Sequence, residues 1–185
     1  MLNYGTAALE NRIPADEYIR GYVDVPRFLE CCRACPNYTV KWSCPPYDFD
    51  PLALWRGFRE FWIFGTKLTF GAEAGSGWDV WDKGGGVHAA LAAEKTKLLD
   101  RALALEKEYP GSLALYAGSC EICGANCTKR FGSPCRRPDR MRYSIESLGG
   151  NVCDTAEKLL GTPIKWAADG KLPEYLVLVC GILLK

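Results

Sequence analysis

The residues of this sequence best suited to chemistry are its 10 cysteines, and eight of them fall into two short groups. The first group is Cys31, Cys32, Cys35 and Cys44, and the second group is Cys120, Cys123, Cys127 and Cys135. Ligands of one metal centre must converge on a point, so they come in closely spaced steps, whereas disulfide frameworks spread cysteines to close long loops. The clustering therefore predicts two metal sites.

The second group has the spacing C-x2-C-x3-C-x7-C and is followed by Arg136-Arg137-Pro138. Four thiolates in a short loop segment can surround a 4Fe-4S cluster, because loop backbone leaves N–H groups free to bond the sulfides. Gly124 lies within the segment, and a glycine there permits the backbone to approach the cluster closely. This pattern predicts that the four cysteines ligate one 4Fe-4S cluster.

The first group reads C-x2-C-x8-C-P-P from Cys32 to Pro46, with Cys31 adjacent. A Cys-Pro step at the last ligand is typical of bacterial ferredoxins. Neighbouring cysteines leave the backbone in different directions, so Cys31 and Cys32 are not both expected in one knuckle. Three ligands are then local, and the candidates for the fourth are Cys31, Cys153, Cys180 or an exogenous group.

Zinc is the alternative metal, because a closed tetrahedral site uses the same thiolates. Iron–sulfur is favoured by the x7 and x8 gaps, by the Cys-Pro step and by the presence of a single histidine, His88. Plain disulfides are a third and weaker alternative. Cys180 lies in an apolar run and is expected to be a buried strand residue, and Cys153 is expected to pack similarly on a helix.

Several motifs beyond the cysteine spacings resemble a known family. They are Cys35-Pro-Asn-Tyr38, Trp42-Ser-Cys44-Pro-Pro46, Ala117-Gly-Ser-Cys120-Glu-Ile-Cys123, Cys135-Arg-Arg-Pro138 and Arg142-Tyr-Ser-Ile-Glu-Ser-Leu-Gly149. In this order they resemble the predicted metal-binding proteins of bacteria and archaea that carry two cysteine clusters, over about Glu17 to Gly161. The resemblance implies metal binding as 4Fe-4S clusters in small proteins typical of anaerobes. The sequence departs from the family pattern at Thr39, where glycine is expected, and in the doubled Cys31-Cys32.

The elements that must position these cysteines are predicted from periodicity and turn signals. Strands are expected at 17–25, 61–70, 112–117, 164–168 and 175–185, and helices at 26–35, 51–59, 87–108 and, in short pieces, 144–160. Residues 71–86 are expected to be a glycine-rich surface loop. Stacking of its Trp78 and Trp81 on a flavin, or over a cluster, is the less favoured alternative. A hairpin is expected around Asp169-Gly170.

This order predicts an α+β fold, a small mixed β-sheet with helices on one face and the metal clusters held in loops. With 185 residues and 48% hydrophobic content, the chain is expected to form a single metal-binding domain over residues 1–185.

Charge and hydropathy limit the classes of partner that the protein is expected to bind. There are 23 Lys+Arg against 22 Asp+Glu, a net charge of +1. This balance argues against electrostatic binding of nucleic acid or anionic lipid over a broad surface. A local basic strip of Arg136, Arg137, Arg140 and Arg142 follows Cys135 and is suited to offset cluster charge or to dock an acidic partner. The apolar runs are shorter than the roughly 20 residues that span a bilayer, so a cytoplasmic protein is expected.

The resulting hypothesis is a carrier with one or two 4Fe-4S clusters that passes single electrons to a redox partner protein. No nucleophile–base pair, carboxylate dyad or nucleotide fingerprint stands out in the sequence to indicate an enzyme class. The alternatives are a zinc-stabilised protein-interaction module and an accessory or maturation factor for a metalloenzyme. The sequence predicts neither the oligomeric state nor the electron donor and acceptor.

Overall fold

The computed structural model describes residues 3–71, 85–168 and 171–185, and it confirms the α+β fold class. In chain order the elements are β1 (Tyr4–Pro14), α1 (Ala15–Tyr22), α2 (Val25–Arg33), α3 (Pro51–Arg56), β2 (Glu60–Phe70), α4 (Gly86–Glu108), β3 (Leu113–Leu115), α5 (Val152–Asp154) and β4 (Tyr175–Leu184). Single 3₁₀ turns lie at Gly124–Asn126, Thr128–Phe131 and Glu146–Leu148, and one π-helical turn lies at Thr155–Leu159.

The four strands form one sheet in the order β1-β2-β4-β3. All three strand pairings are antiparallel, so the sheet is not mixed, and the parallel pairing of Tyr116 with Ser144 is an isolated bridge. β2 and β4 are paired over ten residues in the sheet centre. β3 pairs with β4 only from Gly181 to Leu183, which leaves the first part of that edge of β4 beyond the reach of β3.

Alternation along the central strands creates two apolar faces. Phe61 and Ile63 point into a core with Tyr18 and Trp55, from α1 and α3. Phe64 and its neighbours on the other face pack against α4. Successive side chains of a strand point to opposite faces, so both faces of β2 need a cover. The expectation of helices on one face is therefore wrong.

The predicted strand at 17–25 is wrong, because residues 15–22 form helix α1. Tyr18 and Tyr22 are four residues apart and stack at 5.1 Å between ring centroids, while Arg20 pairs with Asp16 at 2.6 Å. Both contacts require helical spacing. The alternation of apolar residues suggests a period of two, but packing of the tyrosines on the core selects the helical period.

Strand β1 has no counterpart among the predicted elements. Its residues alternate weakly, and ten of its eleven residues keep some exposure, so the sequence lacks the apolar run of a central strand. β1 pairs along its whole length with β2, from Tyr4 with Phe70 to Pro14 with Glu60. The strand conformation of β1 therefore depends on its pairing with β2, which is distant in sequence, and not on a local apolar pattern.

Of the other predicted helices and strands, most are confirmed and one strand is wrong. The strands at 61–70 and 175–185, the short strand near 112–117 and the helices at 26–35, 51–59 and 87–108 are confirmed within a few residues at each end. Residues 164–168 form no strand, and only Ala168 bridges to Lys171. The proposed turn at Asp169-Gly170 and most of the glycine-rich loop, with Trp78 and Trp81, lie outside the described residues. Among the helices that are described, none is long and apolar enough to cross a membrane.

Candidate metal centre

The first cysteine group lies at the end of α2 and in the turns that follow it. Asp24 caps the helix by accepting a hydrogen bond from the Arg27 N–H at 3.1 Å, and Cys31 and Cys32 fall in the last turn. They are thus helical residues, in agreement with the helix predicted at 26–35. The next member, Cys35, is exposed, and the last, Cys44, is 8% exposed.

The second group lies in the chain after β3, where single 3₁₀ turns alternate with extended residues. Its four thiols, of Cys120, Cys123, Cys127 and Cys135, line one small cavity. Cys127 is 9% exposed and the other three are partly exposed. The structure therefore places residues that are 15 positions apart in sequence around a common space.

Three of the hydrogen bonds between the two cysteine segments involve Ser43, Asn37 and Trp42. Ser43 Oγ accepts from the Cys120 N–H at 2.9 Å, Asn37 Nδ2 donates to Ser119 Oγ at 3.1 Å, and Trp42 Nε1 donates to Thr128 Oγ1 at 3.3 Å. Ser43 Oγ also lies 3.7 Å from Cys44 Sγ. The last cysteine of the first group and the first cysteine of the second group thus contact the same serine.

Two lysines add positive charge at this junction. Lys129 Nζ donates to the carbonyl oxygens of Cys44 at 2.6 Å and Pro46 at 3.2 Å, and Lys41 Nζ donates to the Gly124 carbonyl. Each lysine therefore belongs to one cysteine segment and bonds the other. Desolvation lowers the pKa of Lys129, while the nearby thiols of Cys44 and Cys127 oppose that shift.

Burial raises the pKa of several thiols in the two groups. For Cys32 desolvation is the largest cause, and with smaller effects from Cys44 and Glu146 the pKa rises to about 11. Desolvation likewise raises the pKa of Cys44, an effect that Lys129 and Lys41 reduce, and the pKa of Cys120. Since metal ligands must be thiolates, metal binding here is coupled to proton release.

Two backbone positions shape the cysteine segments. Gly124 has φ +53° and open space around the position of a Cβ, so glycine is needed for its conformation and not for close contact with the protein. Thr39 has φ +62°, the left-handed region in which glycine is favoured. The family departure noted at this position is thus a threonine held in a glycine-like conformation.

The basic strip after Cys135 is largely neutralised by acids. Arg137 pairs with Asp139 at 3.4 Å, Arg140 with Asp100 at 2.7 Å, and Arg142 with Glu106. Within the described part of the chain, Arg136 has no such ion pair. The arginines of this strip chiefly tie the second cysteine segment to α4.

The two cysteines outside the groups, Cys153 and Cys180, differ in their exposure to solvent. All ten are free. Cys180 is 1% exposed in β4, as expected, whereas Cys153 in α5 is exposed and not packed in the core. In the described ranges, no three or more His, Cys, Asp and Glu side chains converge closely enough to hold a single metal ion.

Sequence reasoning missed Ser43, Lys41 and Lys129, although Ser43 stands beside a predicted ligand. Their roles depend on contacts between segments 77 to 85 residues apart. The only signal for them in the sequence is that each lysine lies close to a grouped cysteine. The sequence does not indicate which distant carbonyl group the lysine bonds.

The architecture defines a class: an antiparallel α+β protein whose two cysteine segments are joined to each other by hydrogen bonds. The chain belongs to the family described as predicted metal-binding protein (DUF2284), whose model matches residues 21–184. Searches of curated proteins and of solved structures returned no significant match.

Proposed function

We propose that this metal-binding family member holds one or two 4Fe-4S clusters and passes single electrons to a partner protein. A bound cluster of this type supplies one-electron redox chemistry, with a potential set by net charge, hydrogen bonds to sulfur and solvent exposure. The chain's own residues would provide the ligands, the electrostatic surroundings and a short separation between the two sites.

The donor set fits an iron–sulfur cluster. Cys120, Cys123, Cys127 and Cys135 line a common cavity, and thiolates are the usual ligands of such clusters. For the first group we assign Cys32, Cys35 and Cys44, with Cys31 as the fourth ligand. The charges of the other three thiols all contribute to the raised pKa of Cys32, which fits a group that shares one locality.

The observation that carries the electron-transfer proposal is the shared contact of Ser43 with Cys44 and Cys120. Electron transfer between two centres requires that they lie close together. One ligand from each proposed centre lies against a single side chain, so the two centres would be neighbours. Lys129, which is close to Cys44 and Cys127, would stabilise the added negative charge of either reduced centre.

Electron paramagnetic resonance of anaerobically purified, dithionite-reduced protein tests this proposal. We expect the spectrum of the wild type to show two interacting clusters, C127S to lose the signal of the second group, and C44S to lose that of the first. C153S is the matched control and should leave the spectrum unchanged. Reduced protein should also pass electrons to cytochrome c as an artificial acceptor.

A zinc-stabilised interaction module is the competing function, since the same thiolates suit a structural zinc. A colourless protein that gives no signal after reduction, and in which C127S and C44S lose zinc, would establish that function instead. The accessory or maturation role would be indicated by two results. The resonance signals would appear only after the protein is loaded with metal, and they would disappear when the protein passes that metal to an apo-protein acceptor.

A further inference from the structure

A second cavity, separate from the thiol-lined one, lies beside the edge of β4 that β3 leaves uncovered. Its volume is about 400 Å³, within the range of small-molecule sites. The walls are mainly apolar and come from four parts of the chain, represented by Leu91 of α4, Ala117 after β3, Val152 of α5 and Leu176–Val179 of β4.

The cavity exists because β3 is short. β3 pairs with β4 only from Gly181 to Leu183, so the edge of β4 that precedes this pairing is not extended by β3. Residues 164–167 pass in front of the same edge without forming a strand and complete the wall. The sheet thus ends in a concave apolar surface instead of a closed edge.

Glu146 is the carboxyl group that lines this cavity. Its Oε2 is buried and, among the described residues, has no hydrogen-bond partner. A buried polar atom without a partner costs free energy, about 1–3 kcal/mol. Desolvation raises the pKa of Glu146, and contacts of this carboxyl group with its own backbone N–H, with Ser144 and with Lys95 oppose that shift without cancelling it.

The lysines at the cavity are engaged elsewhere. Lys95 pairs with Glu121 at 2.9 Å, and Lys165 pairs with Glu174 at 2.5 Å. Both line the cavity, yet the acids they contact are not Glu146. Oε2 of Glu146 therefore remains a buried acceptor that is available to a molecule entering the apolar space. Because the two carboxyl oxygens exchange on a half-turn of the terminal torsion, either can be turned to such a molecule.

We propose that this cavity binds a small, mainly apolar molecule that carries an N–H donor, and that Glu146 accepts the hydrogen bond from that donor. The apolar walls would supply most of the binding free energy and the carboxyl group the orientation and selectivity. The proposal does not depend on the identity of the metal, since none of the eight grouped cysteines lines this cavity.

Indole and benzofuran are suitable probes, because they share size and shape and differ in an N–H replaced by an oxygen. Titrations followed by protein NMR should show that indole binds the wild type about tenfold more tightly, the ratio expected when a buried acceptor gains its donor. In E146L the two probes should bind alike. E157L makes the same substitution at an exposed glutamate outside the cavity and should keep the preference.

L91W provides a test that leaves Glu146 in place, because a larger side chain at Leu91 occupies part of the cavity. It should weaken binding of both probes while the iron, sulfide and zinc content stays as in the wild type. The proposal is overturned if the wild type binds neither probe or binds both equally, or if the preference for indole survives in E146L. Metal content measured on the same samples separates this outcome from a failure of the redox proposal.

Discussion

Ser43 Oγ accepts a hydrogen bond from the Cys120 N–H at 2.9 Å across 77 residues of sequence. Because Ser43 precedes Cys44 and is 1% exposed, this bond fixes the end of the first cysteine segment against the beginning of the second. The two groups are therefore parts of one structural unit, and a substitution in one group should affect the stability of the other.

Replacing Ser43 with alanine should weaken that unit. The Cys120 N–H would lose its acceptor, and we expect the free energy of unfolding to fall by about 1 kcal/mol. Denaturant unfolding under anaerobic conditions measures this change, and S133A, at an exposed serine, is the control. Equal stability of S43A and S133A would show that the bond contributes nothing.

Lys129 should raise the reduction potential of any cluster bound by either group. Its ammonium group is near Cys44 and Cys127, and a nearby cation favours the more negative reduced state. K129M should lower the potential by on the order of tens of millivolts, as measured by a redox titration. K129R keeps the charge and should stay near the wild-type potential. A potential unchanged in K129M would contradict this role.

Thr39 should gain stability on replacement with glycine. The left-handed conformation costs a non-glycine residue about 1–2 kcal/mol, and the greater freedom of glycine in the unfolded chain removes about 0.5–1 kcal/mol of that gain. We expect T39G to unfold at a slightly higher temperature, with a gain of up to about 1 kcal/mol once the loss of the exposed hydrogen bond from the Thr39 hydroxyl to the Tyr38 carbonyl is included. T39A keeps the backbone strain and should show no such gain.

Glu146 should make stability fall as pH rises. Desolvation raises the pKa of this carboxyl in the folded state above 4.5, so between 4.5 and the folded value the folded protein holds a proton that the unfolded chain has released. Over that window the contribution of Glu146 to stability falls by about 1.4 kcal/mol per pH unit, and the loss persists at higher pH. E146Q cannot ionise and should lack this component.

Thermal unfolding of the wild type and E146Q at equal metal content, from pH 4 upward, measures the difference. The advantage of E146Q should grow with pH and then level off. A difference that does not change with pH would mean that Glu146 ionises as readily in the folded protein as in the unfolded chain.

The parts of this structure that the sequence predicted are those set by local signals. The apolar period of α4, the β-branched and aromatic run of β2 and the spacing of the second cysteine group each lie within one segment. The expectation of glycine at Thr39 from the family pattern also agrees with the backbone observed there.

The parts that were missed depend on distant partners. β1 is an edge strand defined by its pairing with β2, and α1 is a helix because Tyr18 and Tyr22 pack together on the core. The junction of the two cysteine groups likewise relies on contacts between residues about 80 positions apart. Spacing alone identifies the candidate ligands but not their relative placement.

The most direct test of the central claim is the content of iron, acid-labile sulfide and zinc in anaerobically purified protein, together with its visible spectrum. If both groups are filled we expect about eight irons and as many sulfides per chain, or about four of each if only the second group is filled. The protein should be brown and should bleach with dithionite. Stoichiometric zinc without sulfide would contradict the redox function and would leave a zinc-stabilised interaction domain.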